Sequence, residues 1–95
     1  MAEKTWLYIY EGAPRSEGER RSIYIGIGQS MGRVFESHNP DAERLRDAEG
    51  TLIRQTVEPF SSRKDALKAE AIAIHVASLM GLDPIYDSKD EEELF

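Results

Sequence analysis

Two stretches near the start of the chain alternate between apolar and aromatic or small residues, which is the pattern of a β-strand. Residues 5–11 alternate an aliphatic face with an aromatic face made of Trp6, Tyr8 and Tyr10. The second strand, Ser22–Gly28, places three isoleucines on one face: Ile23, Ile25 and Ile27. Its other face holds Tyr24, Gly26 and Gly28, and a face with so few side chains lets another group approach the backbone closely.

The segment between these strands, residues 15–21, has no apolar residue and is predicted to be an exposed loop that joins them as a hairpin. Pairing in a hairpin would bring the two tyrosine faces together. The loop carries three arginines: Arg15, Arg20 and Arg21. Two roles are open for it, a solvated connection or a basic contact to a phosphate backbone.

The middle of the chain is predicted to contain two short helices and a third strand. Ser30 is expected to cap a helix over residues 31–37, and Asp41 to cap a second helix over 42–49. The break between them falls at Asn39, because the residue before a proline avoids helical angles. The β-branched residues of 52–58 predict the third strand.

The last predicted element is a long helix that begins at Ser62 and runs to Met80, with Gly81 as its C-terminal stop. Residues 62–65, SRKD, have the form of a capping box with Asp in place of Glu. A broad apolar arc, rich in alanine, predicts that this helix is largely buried against the sheet. Glu70 is flanked by apolar positions, where a carboxylate is costly unless it has a partner.

These elements predict an α/β (α+β sandwich) domain over residues 1–82, with a three-stranded antiparallel sheet on one side and about three helices packed on the other. A chain of 95 residues has room for one domain with a modest core. No apolar run approaches the roughly 18 residues that span a bilayer, and the first residues lack a signal peptide's apolar segment. We therefore expect no membrane contact and a cytoplasmic location.

Composition restricts the metal chemistry. The chain has no cysteine and two histidines, which excludes disulfides and thiolate metal sites and makes a structural zinc site a poor fit. Any metal ion would be bound by oxygen ligands, as Mg²⁺ or Mn²⁺ is.

The net charge of −6 is unusual for a protein that binds nucleic acid, but it is unevenly distributed. Residues 83–95 hold six acids against one lysine, whereas the other 82 residues carry 12 acids and 11 bases. The body is thus near neutral and residues 83–95 are predicted to be an acidic C-terminal tail. Such a tail is either a solvated end or a segment that mimics or repels nucleic acid at a basic site.

Four features in a fixed order resemble the GIY-YIG nuclease family over residues 6–85. They are a Tyr-Ile-Tyr strand, a Tyr-Ile-Gly strand, an arginine in the next predicted helix and a glutamate in the long helix. The resemblance implies the same α/β architecture. It also implies that a first-motif tyrosine helps to activate the attacking water and that Tyr24 and Arg33 position and neutralise the scissile phosphate. In this family the glutamate, here Glu70, holds one divalent cation, and Gly26 matches the glycine of the second motif.

Some positions depart from the family pattern or fit it in two ways. Tyr8 and Tyr10 both fit the first motif and share one strand face, with the Tyr-Ile-Tyr match slightly favouring Tyr10. Ser37 occupies the usual place of the family's histidine, and His38 lies one residue later, about 100° further around a helix. A lysine often found after the second motif is replaced by Ile27, and the late asparagine is absent.

The sequence therefore predicts a GIY-YIG-like endonuclease that hydrolyses DNA phosphodiester bonds with one Mg²⁺ or Mn²⁺ ion. Arg33, metal-bound Glu70, and a tyrosine or His38 would supply charge neutralisation, water activation and a proton acceptor. So small a domain would act with weak specificity, as a homodimer, or with a partner protein. Two alternatives remain open: a nucleic-acid-binding module of the same fold without turnover, and a protein-interaction domain that uses the acidic tail.

Overall fold

The computed structural model describes residues 4–14, 16, 18–29 and 39–85. Its elements in chain order are β1 (Trp6–Glu11), β2 (Ser22–Gly28), α1 (Pro40–Asp47), β3 (Leu52–Gln55), α2 (Arg63–Leu79) and β4 (Asp83–Ile85). The strands form one mixed sheet in the order β3-β1-β2-β4, which gives an α+β fold.

The predicted hairpin is confirmed, and its register opposes Tyr10 to Tyr24 and Tyr8 to Gly26. The third strand, β3, is antiparallel as predicted, and the structure pairs it with the other side of β1.

The prediction of a three-stranded, wholly antiparallel sheet is wrong, because β4 adds a fourth strand parallel to β2. The chain turns after α2 at Gly81, whose φ of 83° suits a residue without a side chain. The Asp83 amide then donates to the Arg21 carbonyl oxygen over 2.8 Å. The sequence did not predict this strand because it contains Pro84. Proline has no backbone N–H, so it occurs in a strand only where no backbone donor is needed, as at a sheet edge. Residues 83–85, assigned to the acidic tail from sequence, thus belong to the sheet, and residues 86–95 lie outside the described part of the chain.

The sequence-based expectation that all helices lie on one side of the sheet is also wrong for the two described helices. α1 packs on the tyrosines through Ala42 and Leu45. α2 packs on the isoleucines of β2 through its alanines and Leu67. Both faces of the sheet carry apolar side chains that are stabilised by burial, so one helix packs on each face. The predicted helix over 31–37 lies outside the described residues.

Local hydrogen bonds explain where the helices begin. The capping of α2 by Ser62 is confirmed, since its hydroxyl oxygen accepts from the Asp65 amide over 3.1 Å. The cap of α1 is Asn39 and not Asp41, because the Asn39 side chain accepts from the Asp41 and Ala42 amides. Pro40 then occupies the first helical turn, where its missing N–H costs nothing. Neither described helix has the length and apolar character needed to cross a membrane.

Candidate functional site

Three tyrosines form one packed cluster on the sheet. The ring centroids of Tyr8 and Tyr10 lie 5.7 Å apart, those of Tyr8 and Tyr24 6.0 Å, and those of Tyr10 and Tyr24 5.5 Å. Exposure is 5% for Tyr8, 0% for Tyr10 and 3% for Tyr24. The alternation of β1 and β2 and the antiparallel register bring these rings together, as the sequence predicted.

Gly26 provides the space that one of these rings occupies. A Cβ placed on Gly26 would lie 2.7 Å from both Cζ and the hydroxyl oxygen of Tyr8. The Tyr8 phenol therefore lies directly over the backbone of β2, and its hydroxyl oxygen is held at a fixed point on this face. The Tyr8 side chain therefore fills the space that the sequence predicted above Gly26.

Tyr10 is the most enclosed member of the cluster. It packs under α1, whose Arg46 side chain hydrogen-bonds the Tyr10 phenol. Burial raises the pKa of Tyr10 above its ordinary value of 10.0, while the positive charge and hydrogen bond of Arg46 act in the opposite direction. Arg46 in turn binds Asp47 over 2.9 Å, and this hydrogen bond lowers the pKa of the Asp47 carboxyl. These contacts assign Tyr10 a structural role beneath α1.

Glu70 is the buried acid among the described residues, with 5% exposure. It lies four residues after Ala66 and seven before Ala77, so it shares their helical face, which packs on the isoleucines of β2. Its Oε2 atom is shielded from solvent. The carboxylate also takes part in a further polar interaction, which helps to offset the cost of its burial.

The tyrosines and Glu70 thus lie on opposite faces of the same stretch of β2. Ala66 and Leu67 pack with Ile27, whereas Ala77 packs with Ile23 and Ile25. Glu70 stands between these two contacts along α2, at the height of Gly26. On the side of β2 away from β1, β4 pairs only with residues 22–24, so no described strand pairs with residues 25–28 there.

The arginines predicted to bind substrate differ in their surroundings. Arg21 is bound to Glu11 over 2.9 Å, and its Nε donates to the Gly12 carbonyl oxygen over 3.2 Å. Glu11 also pairs with Arg54 over 3.4 Å. Arg21 therefore fastens the end of the β1–β2 hairpin, while Arg20 is exposed to solvent.

Three predicted site residues, Arg15, Arg33 and His38, lie outside the described residues. Within residues 4–14, 16, 18–29 and 39–85, no group of three His, Asp or Glu side chains is arranged to hold a metal ion.

Two further residues contact or extend the tyrosine cluster, and no role was predicted for them from the sequence. Trp6 extends the aromatic row opposite Gly28, and its buried Nε1 atom has no hydrogen-bond partner among the residues that the structure describes. The alternation of β1 already marked its face. Arg46 reaches Tyr10 from α1, and no sequence signal marks it, because the contact depends on which sheet face α1 covers.

Comparison with protein-family models, with curated proteins and with solved structures gives no significant match to this chain.

Proposed function

We propose that the chain is a GIY-YIG-like endonuclease that hydrolyses DNA phosphodiester bonds with the help of one divalent cation. One observation supports this most strongly. Tyr8 and Tyr24 lie together beside Gly26, and the buried acid, Glu70, stands behind the same stretch of β2. Residue types needed for phosphodiester hydrolysis thus surround one strand segment, although they lie far apart in the sequence.

Tyr8, and not Tyr10, is the better candidate for the first-motif tyrosine. Tyr10 is fully buried under α1 and bonded to Arg46, so its phenol does not meet a substrate. Tyr8 lies nearer the end of the sheet where β2 finishes at Gly28. The segment that carries Arg33 follows Gly28 directly in the chain.

Glu70 is the residue that would hold the cation. A carboxylate is the oxygen ligand that Mg²⁺ or Mn²⁺ prefers, and Mg²⁺ is commonly bound by one or two carboxylates while it keeps several waters. The donor type fits, because Glu70 is a carboxylate and its Oε2 atom lies buried behind β2. When bound, such an ion lowers the pKa of water and neutralises charge on the phosphate.

The chain's own residues then have separate tasks. Arg33 holds two phosphate oxygens in its planar fork. The Tyr8 phenol, fixed over Gly26, exchanges a hydrogen bond with the attacking water or a phosphate oxygen. The Tyr24 ring supports Tyr8 at a centroid distance of 6.0 Å, and His38 is a second proton acceptor.

A second candidate, a nucleic-acid-binding module without turnover, is favoured by a different observation. All three phenols and the Glu70 Oε2 atom are closed to solvent, so a substrate phosphate would need the site to open before it reached them. In that case the same fold would bind DNA through its arginines, with sequence specificity supplied by a second copy or by a partner protein.

Plasmid DNA with Mg²⁺ separates the two candidates. The wild type should nick it, and Glu70→Gln should lower the rate about 100-fold or more, because a metal ligand is lost while side-chain volume is kept. Tyr8→Phe should also lower the rate, whereas the matched control Glu49→Gln changes an exposed acid and should leave it unchanged. DNA binding without nicking in the wild type would favour the second candidate, and neither binding nor nicking would contradict both.

Metal binding can be measured without an assay of DNA cleavage. If Glu70 holds the ion, Mg²⁺ should raise the melting temperature of the wild type and of Glu49→Gln, but not that of Glu70→Gln. An equal rise in all three proteins would assign the metal to another site.

A further inference from the structure

The outward side of α2 carries an apolar stripe that the fold leaves uncovered. Its members are Ile72, Val76, Leu79 and Met80, with exposures of 65%, 45%, 74% and 72%. Ile72, Val76 and Leu79 recur at three and four residues, so they share a face of α2 turned about 100° from the alanines that contact the sheet, and Met80 follows at the end of the helix. A surface helix normally turns a polar face to water. Four large apolar side chains in a row therefore mark a surface that binds something.

A basic stripe runs beside the apolar one. Lys64, Lys68 and His75 are exposed and fall within a narrow arc of the same helix. No acid lies in this arc of α2, and the exposed Asp65 lies at the N-terminal end of the apolar face. The adjoining stripes match a ligand that is acidic and also carries apolar side chains.

The chain contains such a segment directly after β4. Residues 86–95 hold five acids against one lysine, and the acids are followed by Leu94 and Phe95. The composition of this segment complements both stripes of α2, in charge and in apolar character.

The direction of the chain also suits this partner. The early residues of α2 pack near Ile27 and the late ones near Ile23, so α2 runs antiparallel to β2. β4 is parallel to β2, so Ile85 points towards the N-terminal part of α2, which carries Lys64 and Lys68. From the acids beside these lysines, the chain needs to turn back by about one helical turn, roughly 6 Å, to bring Leu94 and Phe95 to Ile72.

The reach is sufficient. Ten residues extend up to about 33 Å, whereas the 17 residues of α2 span about 25 Å. The extended segment is therefore longer than the helix on which it is proposed to lie.

We propose that residues 86–95 dock on the outward face of α2 in the same molecule. The acids lie against Lys64 and Lys68, and Leu94 and Phe95 lie against the apolar stripe. This contact would cover the part of the apolar stripe nearest Lys68, at Ile72 and Val76, and neutralise a basic surface of α2.

The full chain offers a clean test because it has no cysteine. A nitroxide attached to Glu93→Cys should broaden the NMR signals of Ile72 and Val76, while those of Ala42 on α1 stay sharp. The broadening should be lost in high salt and in Lys64→Glu/Lys68→Glu, because both weaken the charge contact. The matched control Arg44→Glu reverses an exposed charge on α1 and should keep it.

Two outcomes would overturn the proposal. One is the absence of broadening at α2, or broadening that the double charge reversal leaves unchanged. The other is broadening that appears when spin-labelled protein is mixed with isotope-labelled protein that carries no spin label, since this would identify a second copy as the occupant.

Discussion

The two faces of this sheet are buried in different ways. The aliphatic face is covered by the 17-residue α2, whose alanines allow the helix backbone to approach the isoleucines. The aromatic face is covered by the 8-residue α1, and its rings carry hydroxyl groups that need hydrogen bonds, as Tyr10 finds in Arg46. Aliphatic packing is non-directional, whereas a buried phenol fixes the position of its cover.

Each face also holds one group that packing alone does not explain. On the aliphatic face this is Glu70, a carboxylate within an apolar contact. On the aromatic face it is Gly26, which gives up a side chain so that Tyr8 can lie over the backbone. Gly26 lies in β2 and Glu70 packs behind the same stretch of this strand, so the departures from good packing meet where the proposed site lies.

The largest expected effect tests whether α2 contributes more stability than α1. Leu67→Ala should lower the free energy of unfolding by about 3 kcal/mol, and Leu45→Ala by about 2 kcal/mol, because the shorter helix can shift to fill the cavity. Both leucines are buried, with exposures of 7% and 9%. Urea denaturation measures both values. A cost for Leu45→Ala equal to or above that for Leu67→Ala would contradict the ranking of the two faces.

A methyl group at Gly26 should disturb the aromatic face alone. Gly26→Ala should cost about 2 kcal/mol, because the new carbon would overlap the Tyr8 ring. In a Tyr8→Leu background the same change should cost less than half as much, since the overlap is removed. The double-mutant cycle is measured by urea denaturation. Equal costs in both backgrounds would show that the conflict lies elsewhere.

The smallest effect concerns the buried phenol and pH. Tyr10→Phe should cost about 1 kcal/mol at neutral pH through loss of the Arg46 hydrogen bond. The raised pKa of Tyr10 adds a pH dependence, because above pH 10.0 the unfolded chain releases this proton while the folded chain keeps it. The stability of the wild type should therefore fall as pH rises through the folded pKa, and more steeply than that of Tyr10→Phe. Chemical denaturation at a series of alkaline pH values checks this, and parallel curves for the two proteins would contradict it.

Much of the fold could be predicted from local patterns. The alternation in β1 and β2 gave the hairpin and its tyrosine face, and residues 62–65 gave the start of α2. The strand β4 could not be predicted, because three residues with a central proline become a strand only when a neighbouring strand accepts them. The cap of α1 was misplaced by two residues, since Asn39 and Asp41 are equally good capping residues and the position of Pro40 decides between them.

The candidate site could likewise be predicted only in part from the sequence. The sequence by itself determined that the tyrosines share one face and that Glu70 interrupts an apolar helix, because side-chain direction follows from strand and helix periodicity. Only the tertiary structure decided that Tyr10 is sealed under α1, that Tyr8 fills the space above Gly26 and that Glu70 approaches β2 from the opposite face. Periodicity fixes which residues of one element point together, but the face that each helix covers depends on contacts between residues far apart in the chain.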